Sequence, residues 1–481
     1  MPSQIARGRL VGRAVIGLSV IATTLFTALP ARAAGDPVLF SFATLGDSRT
    51  DPAAADPTTF LPNNTGTLLP QDRFWLQNTK AFSRILRTIA GQKPNLLFFN
   101  GDMIYGYGRP VPPVVTGSGT AGNGGAAVTG TTVWSSTDGN PSNWLGQNTT
   151  ATVTPDFIAD YAQYAYWRGM VANTFETGTY VIPVPGNHET QCNQTKYPYS
   201  SSNKNPNCAS GNHAYAENEN LWRANMSDLI GDLVVNTRFQ AISGFAANNV
   251  SGLTASTAPT AGTSQPNNGP ITGNQAELSY SFDITTTAGT LHFAVINTDP
   301  SGADGIAPAD WLAADFLAAK TRGAVKFFVF GHKPAFTYNY QAVSGVTVGS
   351  GAGQLAYAGL DASSLPLRNA FWSVIAQYNA TYFCGHQHTV NVAQYADPLL
   401  ASTNTPYQVL VGSGGSAFDD KLSGTCPSCA EPVFTNPSDR YYAWALVQVH
   451  ASGAVTLNVY GFSDSFGPTQ SLTYYNVSSL Q

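Results

Sequence analysis

Short apolar runs that stop abruptly at a glycine and a polar residue recur along this chain. The clearest is Leu96-Leu97-Phe98-Phe99-Asn100-Gly101-Asp102. Four large apolar residues in a row, with no alternation, predict a strand buried on both faces. Similar runs predict strands over 38–45, 179–184, 325–330, 381–384 and 407–411. Between them apolar positions return at helical spacing. Phe74, Trp75, Phe82, Ile85, Leu86 and Ile89 predict a helix over 72–90 closed by Gly91, and further helices are expected over 155–173, 308–321 and 365–378. Residues 278–283 and 290–297 alternate as an antiparallel hairpin does, and 441–450 and 454–462 close the chain as strands. The predicted fold class is α/β (α+β), with two mixed sheets packed face to face as a sandwich and helices outside.

Two stretches, 108–152 and 240–276, are rich in Gly, Thr, Ser and Asn and read as polar surface insertions in a single domain over 34–481. Residues 1–33 differ from both. Arg7, Arg9 and Arg13 precede an uncharged run over 14–29, then Pro30 and the small-residue site Ala31-Arg32-Ala33, which is the pattern of a secretory signal peptide. The run is short for a membrane span, so the expectation is a secreted or periplasmic protein with no stable membrane insertion after cleavage. Four arginines and no acid lie in that segment, so its removal takes the formal net charge from −5 to −9. That charge argues against nucleic acid as a partner. Of the five cysteines, Cys192 and Cys208 flank a polar loop, Cys426 and Cys429 could close a tight ring, and Cys384 sits in an apolar run as a buried free thiol.

The strand ends carry the chemistry. They read Gly46-Asp47-Ser48-Arg49, Gly101-Asp102-Met103-Ile104-Tyr105, Gly186-Asn187-His188-Glu189, Gly331-His332 and Gly385-His386-Gln387-His388, and they hold four of the seven histidines. Ligands in layered α/β folds are held outside the carboxyl ends of strands. Carboxylate, amide oxygen and imidazole together suit hard to borderline cations. Two carboxylates, an amide, three imidazoles and a phenol exceed what one ion needs, so two ions are expected. A pair about 3.5 Å apart activates a water and clamps a phosphoryl group. His292 and His450, in alternating strands, are expected to be structural, His213 is expected to face solvent, and Tyr161, Tyr164, Tyr166 and Trp167 read as helix packing.

On these motifs the chain resembles the calcineurin-like metallophosphoesterases over residues 38–411. Within them, Asp102 followed by Tyr105, without the histidine that the wider superfamily carries at position 49, resembles the purple acid phosphatases, which lack that histidine and recruit the tyrosine. Ser279-Tyr280-Ser281-Phe282-Asp283 with Leu291-His292-Phe293 is similar to that family as well. The resemblance implies that Asp47, Tyr105 and His388 hold a ferric ion, that Asn187, His332 and His386 hold a divalent ion (Fe, Zn or Mn), and that Asp102 bridges them. It implies His188 as a phosphate contact and proton donor, and hydrolysis of small phosphomonoesters by a metal-bound hydroxide. Two departures stand out. Arg49 replaces the family's glycine and is either a substrate clamp or the ion-pair partner of a nearby carboxylate. Tyr338 and Tyr340 stand where some members carry further histidines. A phosphodiesterase with Mn or Fe(II) and an unligated Tyr105, and a non-catalytic surface binding protein, are the alternative readings. The physiological substrate and the oligomeric state are not legible in the sequence.

Overall fold

A computed structural model describes residues 35–50, 77–110, 155–196, 201–202, 204–254, 271, 274–337, 359–418 and 441–481. The expected signal peptide, Phe74 and Trp75, most of the 108–152 stretch, Tyr338 and Tyr340, and the Cys426 and Cys429 pair lie outside those residues. The described strands all belong to one compact unit, Val38–Gln481.

The chain begins β1 (Val38–Leu45), α1 (Thr79–Gln92), β2 (Leu96–Asn100), α2 (Pro155–Glu176) and β3 (Tyr180–Val184). It continues with α3 (Asn187–Thr190), β4 (Gln191–Cys192), β5 (His213–Ala214), α4 (Ala216–Val235), α5 (Thr237–Ser243) and β6 (Asn248–Gly252). The hairpin β7 (Tyr280–Thr286) and β8 (Gly289–Val295) leads to α6 (Ala309–Thr321), β9 (Ala324–Phe330), α7 (Leu360–Ser363), α8 (Leu365–Gln377) and β10 (Thr381–Cys384). Last come β11 (Val390–Gln394), β12 (Tyr407–Val411), β13 (Tyr441–His450), β14 (Val455–Ser463) and β15 (Gln470–Ser471).

Two mixed sheets result, ordered β15-β14-β13-β1-β2-β3 and β11-β12-β10-β9-β8-β7-β6. Within the first, β1, β2 and β3 run parallel, and within the second β8, β9, β10 and β12 do. The expected α/β sandwich is the one observed. Its seam is phenylalanine: the Phe42 ring of β1 lies 5.1–5.8 Å from Phe293, Phe328, Phe330 and Phe383 of the opposite sheet, and Phe98 stacks on Phe330 at 3.6 Å. Each such ring contributes about 1.5–3 kcal/mol relative to an exposed one. The outer faces are also covered, as Phe99 against Phe82 and Trp167 shows, which is why these strands read as continuous apolar runs.

Some elements differ from the sequence pattern. Helix α1 overruns Gly91 and stops at Lys93, whose left-handed φ of 51° comes where the following Pro94 bars further helix. Asn78 caps its other end, accepting from the Ala81 N–H at 3.1 Å. The 240–276 stretch holds the end of α5 and the strand β6, which among the described residues pairs with β7 on one side only. An edge strand needs backbone partners but no apolar faces, so Asn248-Asn249-Val250-Ser251-Gly252 can serve. His292 is structural, as expected: it lies buried between Asp283 (2.7 Å) and Asp315 (2.9 Å). Burial opposes its charge, but those two carboxylates prevail and raise its pKa. Cys192 and Cys208 form a disulfide, and Cys384 is buried and free.

Candidate metal centre

The carboxyl ends of β1, β2, β3, β9 and β10 converge, so the five glycine-led turns face one another. Contact between them is close. A Cβ on Gly385 would lie 2.3 Å from the Asp47 carboxylate, so only glycine lets the β10 turn meet the β1 turn. Asp47, Asp102 and His386 adopt left-handed φ values of 61°, 56° and 72°. Such conformations cost about 1–3 kcal/mol each outside glycine and persist where surrounding structure holds them.

Asp102, His332 and His386 form one cluster of potential metal ligands, and Asp47, Asp102 and His388 form a second that shares Asp102. In the first, His332 Nε2 is 3.0 Å from Asp102 Oδ1, 2.9 Å from Asn187 Oδ1 and 3.1 Å from His386 Nδ1. His386 Nδ1 is 2.9 Å from Asn187 Oδ1. Donors about 2.1 Å from one ion at right angles to each other lie about 3 Å apart, so this set fits a single divalent ion. The second cluster is looser. His388 Nε2 is 3.7 Å from Asp47 Oδ1, and the His386 backbone N–H donates to both Asp47 oxygens at 3.0 and 3.1 Å.

The tautomers suit ligation. His388 Nδ1 donates to the Ala417 carbonyl (2.7 Å) and His332 Nδ1 to the Asn100 carbonyl (2.7 Å), which turns both Nε2 atoms inward. Burial, reinforced by Arg49, takes the His388 imidazolium down to about 3, so the ring is neutral. Burial also holds His386 low and pushes Asp47 well up. His332 goes the other way: Asp102 and Asp47 overcome burial and lift it to about 9. Burial opposes the Asp102 charge as well, yet the charges of His332 and Arg49 keep its carboxyl well below the usual range, with the neutral His188 ring beside it.

The remaining expected residues lie around this core. His188 is buried, its Nδ1 donates to the Tyr105 carbonyl, and its Nε2 is 3.6 Å from Asp102 Oδ2. Tyr105 is buried with its ring 5.7 Å from that of His188, and its N–H donates to Gln163 of α2 at 2.6 Å. Arg49 Nε lies 3.2 Å from Asp102 Oδ2, so the carboxylate it pairs with is the shared one. His213 pairs with Asp304 at 3.0 Å and is only half-exposed, where solvent alone was expected.

Other contributors carry little sequence signal. Glu189 accepts four backbone N–H groups: Asp102 (2.9 Å) and Gly186 (2.7 Å) on Oε2, Met103 (2.7 Å) and Ile104 (3.1 Å) on Oε1. It ties the β3 turn to the β2 turn. Asp299 Oδ1 accepts from Lys333 Nζ (2.5 Å), Gln191 Nε2 (2.8 Å) and Gly305 N–H (2.9 Å), joining three further loops. Only the position of Glu189, next to Asn187 and His188 in one run, could have signalled its part; Asp299 had no signal.

No protein-family model matches the chain, and no curated protein matches its sequence. Among solved structures, a purple acid phosphatase from yellow lupin (Lupinus luteus) seeds is similar over 90% of this chain and 53% of its own length, at 12% identity and a TM-score of 0.42. This chain thus spans about half of that protein. A structure of PhoD is similar over 91% of this chain and 72% of its own, at 11% identity and a TM-score of 0.39. A dimetal phosphatase from Danio rerio is similar over 91% of this chain and 100% of its own, at 10% identity and a TM-score of 0.34.

Proposed function

We propose that this chain is an exported phosphatase that hydrolyses phosphomonoesters at a binuclear centre, with one ferric and one divalent ion. The observation that carries the reading is the pair of buried donor clusters sharing Asp102. Asp47, Tyr105 and His388 would hold the ferric ion, Asn187, His332 and His386 the divalent one. Bound there, the ions would supply an activated water and offset phosphoryl charge. The chain's own groups supply the rest. His388 and His332 present fixed lone pairs, His188 protonates the leaving group, and Arg49 adds positive charge beside the shared carboxylate.

The purified protein is expected to hold about two ions per chain, one of them iron, with a visible phenolate-to-iron absorption band. Tyr105→Phe is expected to remove the band and leave the fold intact. A colourless wild type that holds two metals and is active rules out ferric phenolate ligation. Comparing monoester and diester turnover on the same sample separates the alternatives: faster diester cleavage with Mn or Fe(II) favours a phosphodiesterase, and a loaded protein without turnover favours a binding protein.

Arg49 has two possible duties, and one Arg49→Ala preparation separates them. As a brace for Asp102, its loss leaves a buried carboxylate short of a partner, which costs about 3 kcal/mol when a buried pair is broken. That deficit is expected in the metal-free protein and is largely cancelled once ions are bound. As a clamp, its loss weakens inhibition by inorganic phosphate in fully loaded protein. Thermal unfolding with and without metal, beside phosphate inhibition, reads both; unchanged inhibition excludes the clamp, and equal destabilisation of both forms excludes the brace.

A further inference from the structure

Two residues beyond Tyr105, a second tyrosine reaches the centre. Gly106, at φ +52°, has room for no side chain, because a Cβ there would lie 1.8 Å from the His188 carbonyl oxygen. The chain therefore runs directly against the backbone of His188 and delivers Tyr107 beside the His188 ring, with centroids 4.0 Å apart. Tyr107 itself has a φ of 61°, a conformation a bulky residue adopts only when it is held there. A parallel bridge to Cys192 and the Asn193 N–H on its carbonyl (3.2 Å) do the holding, and Cys192 is anchored by its disulfide.

The Tyr107 ring is buried, at 6% exposure, and its hydroxyl is surrounded by donors. Asn187 Nδ2 donates to it at 2.5 Å and Asn212 Nδ2 at 3.3 Å. Both amides are oriented from their other ends. Asn187 Oδ1 faces His332 and His386, and Asn212 Oδ1 accepts from Asn193 Nδ2. The phenol oxygen is thus an acceptor twice over, and its own hydrogen has no acceptor among the described residues. A phenol carries one O–H to donate, and a buried polar hydrogen left unused is costly. The hydroxyl lies one hydrogen bond beyond the Asn187 amide whose oxygen belongs to the divalent site, on a ring packed against that of His188.

We infer that the Tyr107 hydroxyl donates a hydrogen bond to an oxygen of the phosphoryl group held at this centre, making Tyr107 a further catalytic residue. The inference rests on the phosphatase reading above. It gives the phenol two duties: it fixes the amide of Asn187 with its lone pairs and grips the substrate with its proton.

Tyr107→Phe keeps the ring against His188 and removes only the hydroxyl. In the metal-loaded full-length protein, the variant is expected to keep two ions per chain, bind inorganic phosphate about ten- to a hundredfold more weakly, and lose kcat/KM by a similar factor. Metal content by elemental analysis and phosphate binding by calorimetry test this together. Unchanged phosphate affinity in a fully loaded variant overturns the inference. So does loss of metal with phosphate affinity unchanged per loaded site, because the phenol would then act only through Asn187. A wild type that binds two ions but no phosphate overturns the phosphatase reading along with it, whereas equal phosphate binding by wild type and variant overturns the role of Tyr107 alone.

Discussion

His188→Ala is expected to lower turnover of an unactivated alkyl phosphate by about 10²–10⁴-fold while both metal ions stay bound. The geometry separates this residue from its neighbour. Asn187 turns its amide oxygen to His332 and His386, whereas His188 commits Nδ1 to the Tyr105 carbonyl and leaves Nε2 facing the shared carboxylate. Burial and the nearby Arg49 hold the imidazole well below its usual pKa, so it rests neutral and must take a proton onto Nε2 from solvent, favoured by the negative charge of a bound phosphate or by acid solution, before it can donate one. Turnover of alkyl substrates is therefore expected to rise as pH falls, until the metal ligands themselves protonate. An activated aryl phosphate, whose leaving group needs no proton, provides the control. The deficit of the variant is expected to shrink on that substrate, and a deficit equal on both, or near-normal alkyl turnover, would show that His188 transfers no proton.

Much of the fold and of the site is legible in the sequence itself. The β2 run announces a doubly buried strand because both its faces are covered, and the glycine after it marks a sharp turn that presents Asp102. What the sequence hides is pairing across distance. Glu189 sits next to His188, but nothing local shows that its carboxylate gathers N–H groups from residues 102 to 104. Arg49 reads as basic and near the site, not as the partner of Asp102. Helix α4 is hidden in the pattern although Leu221, Trp222, Met226, Leu229, Ile230 and Leu233 keep helical spacing, because buried Asn218, Asn225 and Asp232 interrupt the apolar stripe. Asp232 is buried for a reason only the fold supplies: it accepts the Arg238 and Phe239 N–H groups that open α5.

The gravest single loss is expected from Glu189→Ala, although Glu189 belongs to neither donor cluster. Four buried N–H groups would lose their acceptor at once, and a buried donor left unsatisfied costs about 1–3 kcal/mol. Water entering the space left by the side chain recovers part of this, so a net destabilisation of about 3–5 kcal/mol is expected. The consequence for the site is larger than the energy suggests. Asp102 holds a left-handed φ of 56°, and its own N–H is one of the four. Without Glu189 the turn is free to relax to an ordinary conformation, which swings the shared carboxylate away from both clusters. Metal content is therefore expected to fall below one ion per chain, and turnover with it. Glu189→Gln keeps the shape but replaces one acceptor oxygen by an NH₂ group facing N–H donors, so it is expected to fall between wild type and alanine. Thermal unfolding and elemental analysis on both variants decide the matter: a Glu189→Ala protein that still holds two ions would mean that the β2 turn keeps Asp102 in place unaided.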